Sequence, residues 1–178
     1  MSLTKKKEFN IFINKCLPEI DNYQSFNIPS TIKRQAEDIT LAHLTLPSMG
    51  QVRDRFEGQK YYDRIYRKLI VLHCLEKMLN KTVISVSMIK AKKSVNLNSI
   101  HVNGKYVAIV DFIFGDLPLI DSTSSLDTLV FCIRDGYKVA YFCGSLPKKE
   151  LGIKSNFMST DSLSSKNHRA LITFTKFQ

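Results

Sequence analysis

The sequence predicts one α/β domain of the α+β kind, with a mixed central β-sheet flanked by helices. Three observations carry this. Apolar residues recur at helical spacing as far as Leu79, and from Thr82 the period shortens to that of strands. Two tight-turn dipeptides, Asn103-Gly104 and Asp135-Gly136, then each join a pair of β-prone runs. Helices followed by paired strands give an α+β or α/β domain, and 178 residues suffice for one domain with a sizeable core.

In chain order, Phe9, Phe12, Ile13, Cys16 and Leu17 mark a first helix, which Pro18 is expected to close. Ser30 can cap a second helix, Thr31 to about Leu44, with Ile32, Ala36, Ile39 and His43 along one stripe. Leu46-Pro47-Ser48-Met49-Gly50 breaks the chain. Residues 1–47 therefore read as an N-terminal helical extension packed on the core, and 48–178 as the core itself. The longest helix runs from Val52 to Leu79, with Ile65, Leu69, Leu72 and Leu79 on its buried side. Thr82 to Met88 alternates like a strand, and Lys90 to Asn98 is a polar loop. Ser99–Val102 with Lys105–Phe114 forms one hairpin, and Leu126–Arg134 with Lys138–Cys143 a second. Pro147 opens a short helix, Lys148 to Leu151, and Ala170 to Phe174 is a last strand.

Composition narrows the function classes. Apolar runs such as Leu69–Leu72 and Tyr106–Val110 are far too short to cross a bilayer, and Met1–Lys7 leads into no apolar signal segment. A cytoplasmic protein without membrane contact is expected. Cys16, Cys74, Cys132 and Cys143 are widely spaced, with no CxxC pair, which fits reduced core thiols. His43 and His73 sit on or beside apolar helical faces and read as core or boundary residues. There is no GxGxxG and no Walker loop, so no nucleotide cofactor is expected, and no HExxH or GxSxG motif.

The formal charge is +10, which favours a polyanionic partner, nucleic acid first. The charge is also segregated. Between Gln51 and Lys93 there are eleven Lys/Arg against four acids, whereas Ala108 to Asp135 holds five aspartates and one arginine. Lys60, Arg64, Arg67 and Lys68 gather on a polar side of the longest helix, and Lys90, Lys92 and Lys93 follow in the loop. These seven are the expected phosphate contacts on duplex DNA. A basic region beside a small acidic one suits a nuclease in which carboxylates hold Mg²⁺.

Four stretches in this order resemble the restriction-endonuclease-like superfamily, the PD-(D/E)XK nucleases, over about residues 50–178. Glu57-Gly58-Gln59 looks like the start of the family's first helix. The "VNGK" turn and strand, 102 to 110, look like the hairpin into its catalytic strand. "DTLVFCIRDGYKVAYFC", 127 to 143, looks like the strand pair that follows, and "GSLPKKELG", 144 to 152, like the small helix after it. The resemblance implies a Mg-dependent endonuclease, often dimeric, that hydrolyses phosphodiester bonds of DNA.

The family's acid-x-lysine pair falls here on Ala108 and Val110, and its preceding aspartate near Asn98 or Ser99. Three functional readings follow. A migrated site would use Asp111 with Asp116 or Glu57 as metal and catalytic carboxylates, and Lys105 or a lysine of the 90–93 loop as the cation. A degenerate site would leave an inactive DNA-binding module. A protein-interaction module would instead show an exposed apolar patch around Phe9, Phe12 and Phe26. Alternation along the strand puts Asp111 on one face with Ile109 and Ile113, where a carboxylate needs a cation or a donor to stay ionised.

Overall fold

The computed structural model describes residues 3–20, 24–43, 55–82, 97–102, 104–121, 123–134, 136–154, 157 and 168–172; for residues 3, 4, 19, 43 and 55–57 it describes the backbone alone. The centre is a five-stranded mixed sheet. Its order is β1 (Ser25–Asn27), β6 (Val139–Leu146), β5 (Asp127–Arg134), β3 (Lys105–Ile113) and β2 (Ser99–Val102). Both expected hairpins form, β2 against β3 and β5 against β6. Gly104 and Gly136 hold the turns at φ +82° and +60°, a backbone region that costs glycine little. β3 and β5 pair in parallel, so the chain must cross over between them. On the way it forms β4 (Leu119–Asp121), which leaves the main sheet and pairs with β7 (His168–Ala170) in a separate ribbon.

Alternate residues of the sheet feed two cores. On one face Ile109, Leu129, Phe131, Ile133 and Phe142 pack under α3 (Ser30–His43) and α4 (Arg55–Leu79). On the other, Phe112, Val130, Cys132 and Cys143 meet Phe12, Cys16 and Ile20. Phe12 and Cys16 belong to a π-helical turn (Phe12–Cys16) that follows α1 (Leu3–Ile11), and Ile20 to α2 (Leu17–Ile20). β5 lies between both layers, and its Thr128–Ile133 run is buried throughout, as a central strand covered on both faces must be.

The N-terminal segment, expected as a helical extension, thus covers one face of the sheet and also supplies the edge strand β1. Three residues, Ser25-Phe26-Asn27, are too few to show a period, so the sequence gives no sign of this strand. Pro18 lies inside α2 and does not close the first helix. It has no N–H to donate and its ring crowds the carbonyl four residues back, and the wider π turn just upstream relieves that crowding. Leu17 N–H accordingly bonds to Phe12 O, five residues back. α3 begins at Ser30, where Pro29 O accepts the amides of Ile32 and Lys33 at 3.1 Å. Asn80, at φ +48°, terminates α4 and lets Lys81 N–H reach Glu76 O at 3.1 Å.

Phe12 is fully buried and Phe26 packs on the core, which leaves Phe9 alone of that trio exposed. The four cysteines are buried free thiols, and burial pushes Cys16, Cys74 and Cys132 up to about 12. The last strand among the described residues is His168–Ala170, with Leu171 bridged to Phe157, and it includes two residues ahead of the expected Ala170. The expected strand after Thr82 and residues 173–174 lie outside the described residues. Among the described residues no helix is long and apolar enough to cross a membrane.

His73 is half-buried on α4, and burial, with Lys77 adding, lowers its pKa below the ordinary value; Glu76 opposes this. The proton therefore binds the unfolded chain more tightly, and stability falls as pH drops through about 6.5. Thermal melts should show a lower Tm at pH 5.5 than at pH 7, and His73→Gln should flatten that difference. An unchanged slope in the variant would place the imidazole in solvent.

Candidate functional site

Among the described residues, one edge of the sheet is left unfinished. β2 covers β3 only to the Ser99–Ala108 pair, and the last link is Ile109 N–H to Asn98 O at 2.8 Å. Beyond it, no strand among the described residues pairs with that edge of β3. Peptide groups alternate in direction along a strand, so the amide and carbonyl of Asp111 point to the same open edge as those of Ile109. A cleft of about 440 Å³ opens there, walled by α4 on one side and by the β4–β7 ribbon on the other.

Asp111 faces α4 in company with Ile109 and Ile113, as the alternation of β3 implies. Two successive residues of the helix meet it. Lys68 Nζ lies 2.7 Å from Oδ1, and Arg67 Nε lies 3.0 Å from Oδ2. Lys68 Nζ also donates to Ile109 O, at 2.6 Å, on the open edge. The Asp111 and Lys68 side chains are only 4% and 9% exposed, whereas Arg67 is 28% exposed. The Arg67 contact is charge pairing: despite the short distance its buried Nε–H has no aligned hydrogen-bond acceptor among the described residues. Lys68 is therefore a buried strut between helix and strand. Arg67 is tethered at Nε and is among the residues that line the cleft.

Arg64 lies one turn earlier on α4. It is exposed, lies 5.3 Å from the Tyr61 ring centroid and lines the same wall. The opposite wall is one face of the ribbon. Asp121 and His168 are register partners and Leu119 is two residues from Asp121, so all three share that face. Asp121 Oδ1 accepts from Thr123 Oγ1 at 2.6 Å and from Thr123 N–H at 2.9 Å. These bonds, with the His168 imidazole nearby adding, hold its carboxyl below the usual range, and the turn is a local Asx type. Three cations (Arg64, Arg67, Lys68) against two carboxylates (Asp111, Asp121) leave a formal +1 in the cleft with His168 neutral.

The sequence-based site residues divide accordingly. Arg64, Arg67 and Asp111 come together. Lys60 is exposed one turn before Arg64 on the same helix. Lys68, expected among the phosphate contacts, is buried, because it lies three residues after Ile65 and four before Leu72 on the inner stripe of α4. Lys105 is exposed at the hairpin end of β3, six residues and roughly 20 Å of extended strand from Asp111, too far for a shared site. Asp116 bonds Lys5 of α1 at 3.0 Å, on the layer opposite α4, so it does not pair with Asp111. It sits in a turn after Gly115, its amide bonded to Ile113 O. The Glu57 side chain, Lys90, Lys92 and Lys93 lie outside the described residues.

This donor set does not suit Mg²⁺. The ion takes several hard oxygen ligands, and both oxygens of Asp111 already face cations at 3.0 Å or less. A divalent ion there would lie against an ammonium and a guanidinium. No group of three His, Cys, Asp or Glu side chains converges among the described residues. Leu119, and the placing of Asp121 on a strand that faces the cleft, are not legible in the sequence, because β4 is three residues long and its partner lies some 50 residues on. A second hollow of about 500 Å³, between Ile113, Phe114 and Tyr137, is walled by apolar and aromatic groups, and Arg134 there lies over the Phe114 ring at 4.5 Å. Comparison of the chain with family profiles, curated proteins and solved structures gives no match.

Removing one partner of a buried ion pair strands the other charge and costs about 3–5 kcal/mol. Asp111→Ala should lower the unfolding free energy in urea by about that amount. The Asp111→Leu, Lys68→Met pair should recover most of it, since it removes both the buried acid and the ammonium beside it. A loss below about 1 kcal/mol in the single variant would mean that the contact is a surface-type pair.

Proposed function

We propose that the protein is a nucleic-acid-binding module, DNA being the first candidate, built on a restriction-endonuclease-like plan whose cleft grips phosphate without cutting it. The observation that carries this is the engagement of both Asp111 oxygens by Arg67 and Lys68. A carboxylate so placed orients cations. It fixes Arg67 at Nε and leaves the other donors of the planar guanidinium for a phosphate, the geometry at which arginine excels. Arg64 and Lys60 extend the same side of α4, and the overall charge of +10 draws polyanions to it. The long helix, the β2–β3 hairpin and the parallel β3–β5 pair support the nuclease-like plan. The interaction-module reading loses its patch, since Phe12 is core.

The reading is tested by fluorescence anisotropy with a labelled DNA oligonucleotide over a salt series. Affinity should fall steeply with salt, and Arg64→Ala and Arg67→Ala should each reduce the log–log slope by about one. Incubation with Mg²⁺ or Mn²⁺ should leave the strand intact. Absence of binding at low salt, or binding indifferent to salt, would remove the reading; strand scission lost in Asp111→Asn would restore the migrated active site.

A further inference from the structure

The cleft's two walls differ in chemistry, and the difference describes a ligand. One wall is cationic, with Arg64 and the Asp111-tethered Arg67. The other presents an aliphatic side chain, Leu119, which is 47% exposed, beside the fixed carboxylate of Asp121 and the imidazole of His168. Between them lies the edge of β3 with which no described strand pairs, where the N–H and C=O of Asp111 are a donor and an acceptor held at strand spacing. A ligand that satisfies all of these has a phosphate at one end and, at the other, a planar heterocycle with hydrogen-bonding edges.

Size points the same way. A volume of about 440 Å³ lies at the lower end of clefts that enclose a single small organic molecule, roughly 300–1,000 Å³. That volume matches one nucleotide better than a base pair with its two backbones. We propose that the cleft takes one unpaired nucleotide of a nucleic-acid strand, its phosphate on Arg64 and Arg67 and its base laid on Leu119 with an edge toward Asp121 and His168. This rests on the nucleic-acid reading above and makes the ligand class single-stranded, or a frayed or flapped end, where the sequence alone suggested duplex. An exposed aliphatic residue on an otherwise polar wall is accounted for as the apolar surface against which a base face packs.

Three probes separate the possibilities. They are a labelled single-stranded 12-mer, the same sequence as a blunt duplex, and unlabelled 5′-mononucleotides competing against the 12-mer beside inorganic phosphate at equal concentration. The single strand should bind about tenfold or more tighter than the duplex, and mononucleotides should displace it where phosphate does not. Leu119→Ser, a change at an exposed position that leaves the charge intact, should weaken single-strand binding about tenfold while its salt slope stays the same. Equal or tighter duplex binding, displacement by phosphate as readily as by mononucleotide, or a silent Leu119→Ser overturns the single-nucleotide site while the salt-dependent nucleic-acid reading stands. No binding of either oligonucleotide removes both.

Discussion

A carboxylate on the inner face of a sheet strand has to be met by cations, and at Asp111 that requirement fixes how helix and sheet sit together. Lys68 and Arg67 are adjacent on α4, and each takes one oxygen of the carboxylate, at 2.7 and 3.0 Å. The pairing sets the height of α4 along β3, because Lys68 must also reach Ile109 O. It splits the basic residues of one helix into two classes. Lys68 is held by the fold, whereas Arg67 is restrained at Nε and has no other ion pair among the described residues. Buried ion pairs add little net stability compared with apolar packing, since desolvation offsets most of the attraction. The triad is better understood as a device that defines one register and one arginine geometry.

Among the described residues the edge of β3 beside this geometry is unpaired. Were β2 longer by a few residues, it would cover Asp111 and the cleft would be a ladder of backbone hydrogen bonds. Instead β2 stops at Ser99, and the crossover between the parallel strands sends β4 out to pair with β7. That ribbon anchors its inner side in the core through Ile120, 1% exposed, and turns Leu119, Asp121 and His168 toward α4. Topology alone thus brings residues from positions 64 to 168 around one space. Open strand edges invite pairing with other chains. Here the ribbon and helix wall the edge in, which limits access to a slender ligand.

Much of the architecture is legible in the sequence, and the exceptions have physical causes. The two Gly-bearing turns specify both hairpins, and the change from helical to strand period places the layers. Alternation alone puts Asp111 beside Ile109 and Ile113. The burial of Lys68 was also legible, since it falls on the Ile65–Leu72 stripe, yet a lysine beside arginines reads first as surface charge. β1 and β4 escape because three-residue strands carry no period and owe their existence to partners far along the chain, and β7 is foreseen only from Ala170. Pro18 misleads because a π turn upstream lets a helix continue past it. The absence of an acid-x-lysine pair on β3 hides that a lysine does reach the strand's carboxylate, from the helix.

The central claim is that Asp111 acts on ligand through Arg67. A double-mutant cycle on affinity tests it most directly, using Asp111→Asn, Arg67→Ala and their combination, each checked for folding, against one labelled single-stranded oligonucleotide at fixed salt. The account expects Asp111→Asn to weaken binding in the native background and to change nothing once Arg67 is alanine, because the carboxylate's role passes through that guanidinium. Fully additive losses, or tighter binding by Asp111→Asn in both backgrounds as expected from removing a negative charge alone, would contradict it.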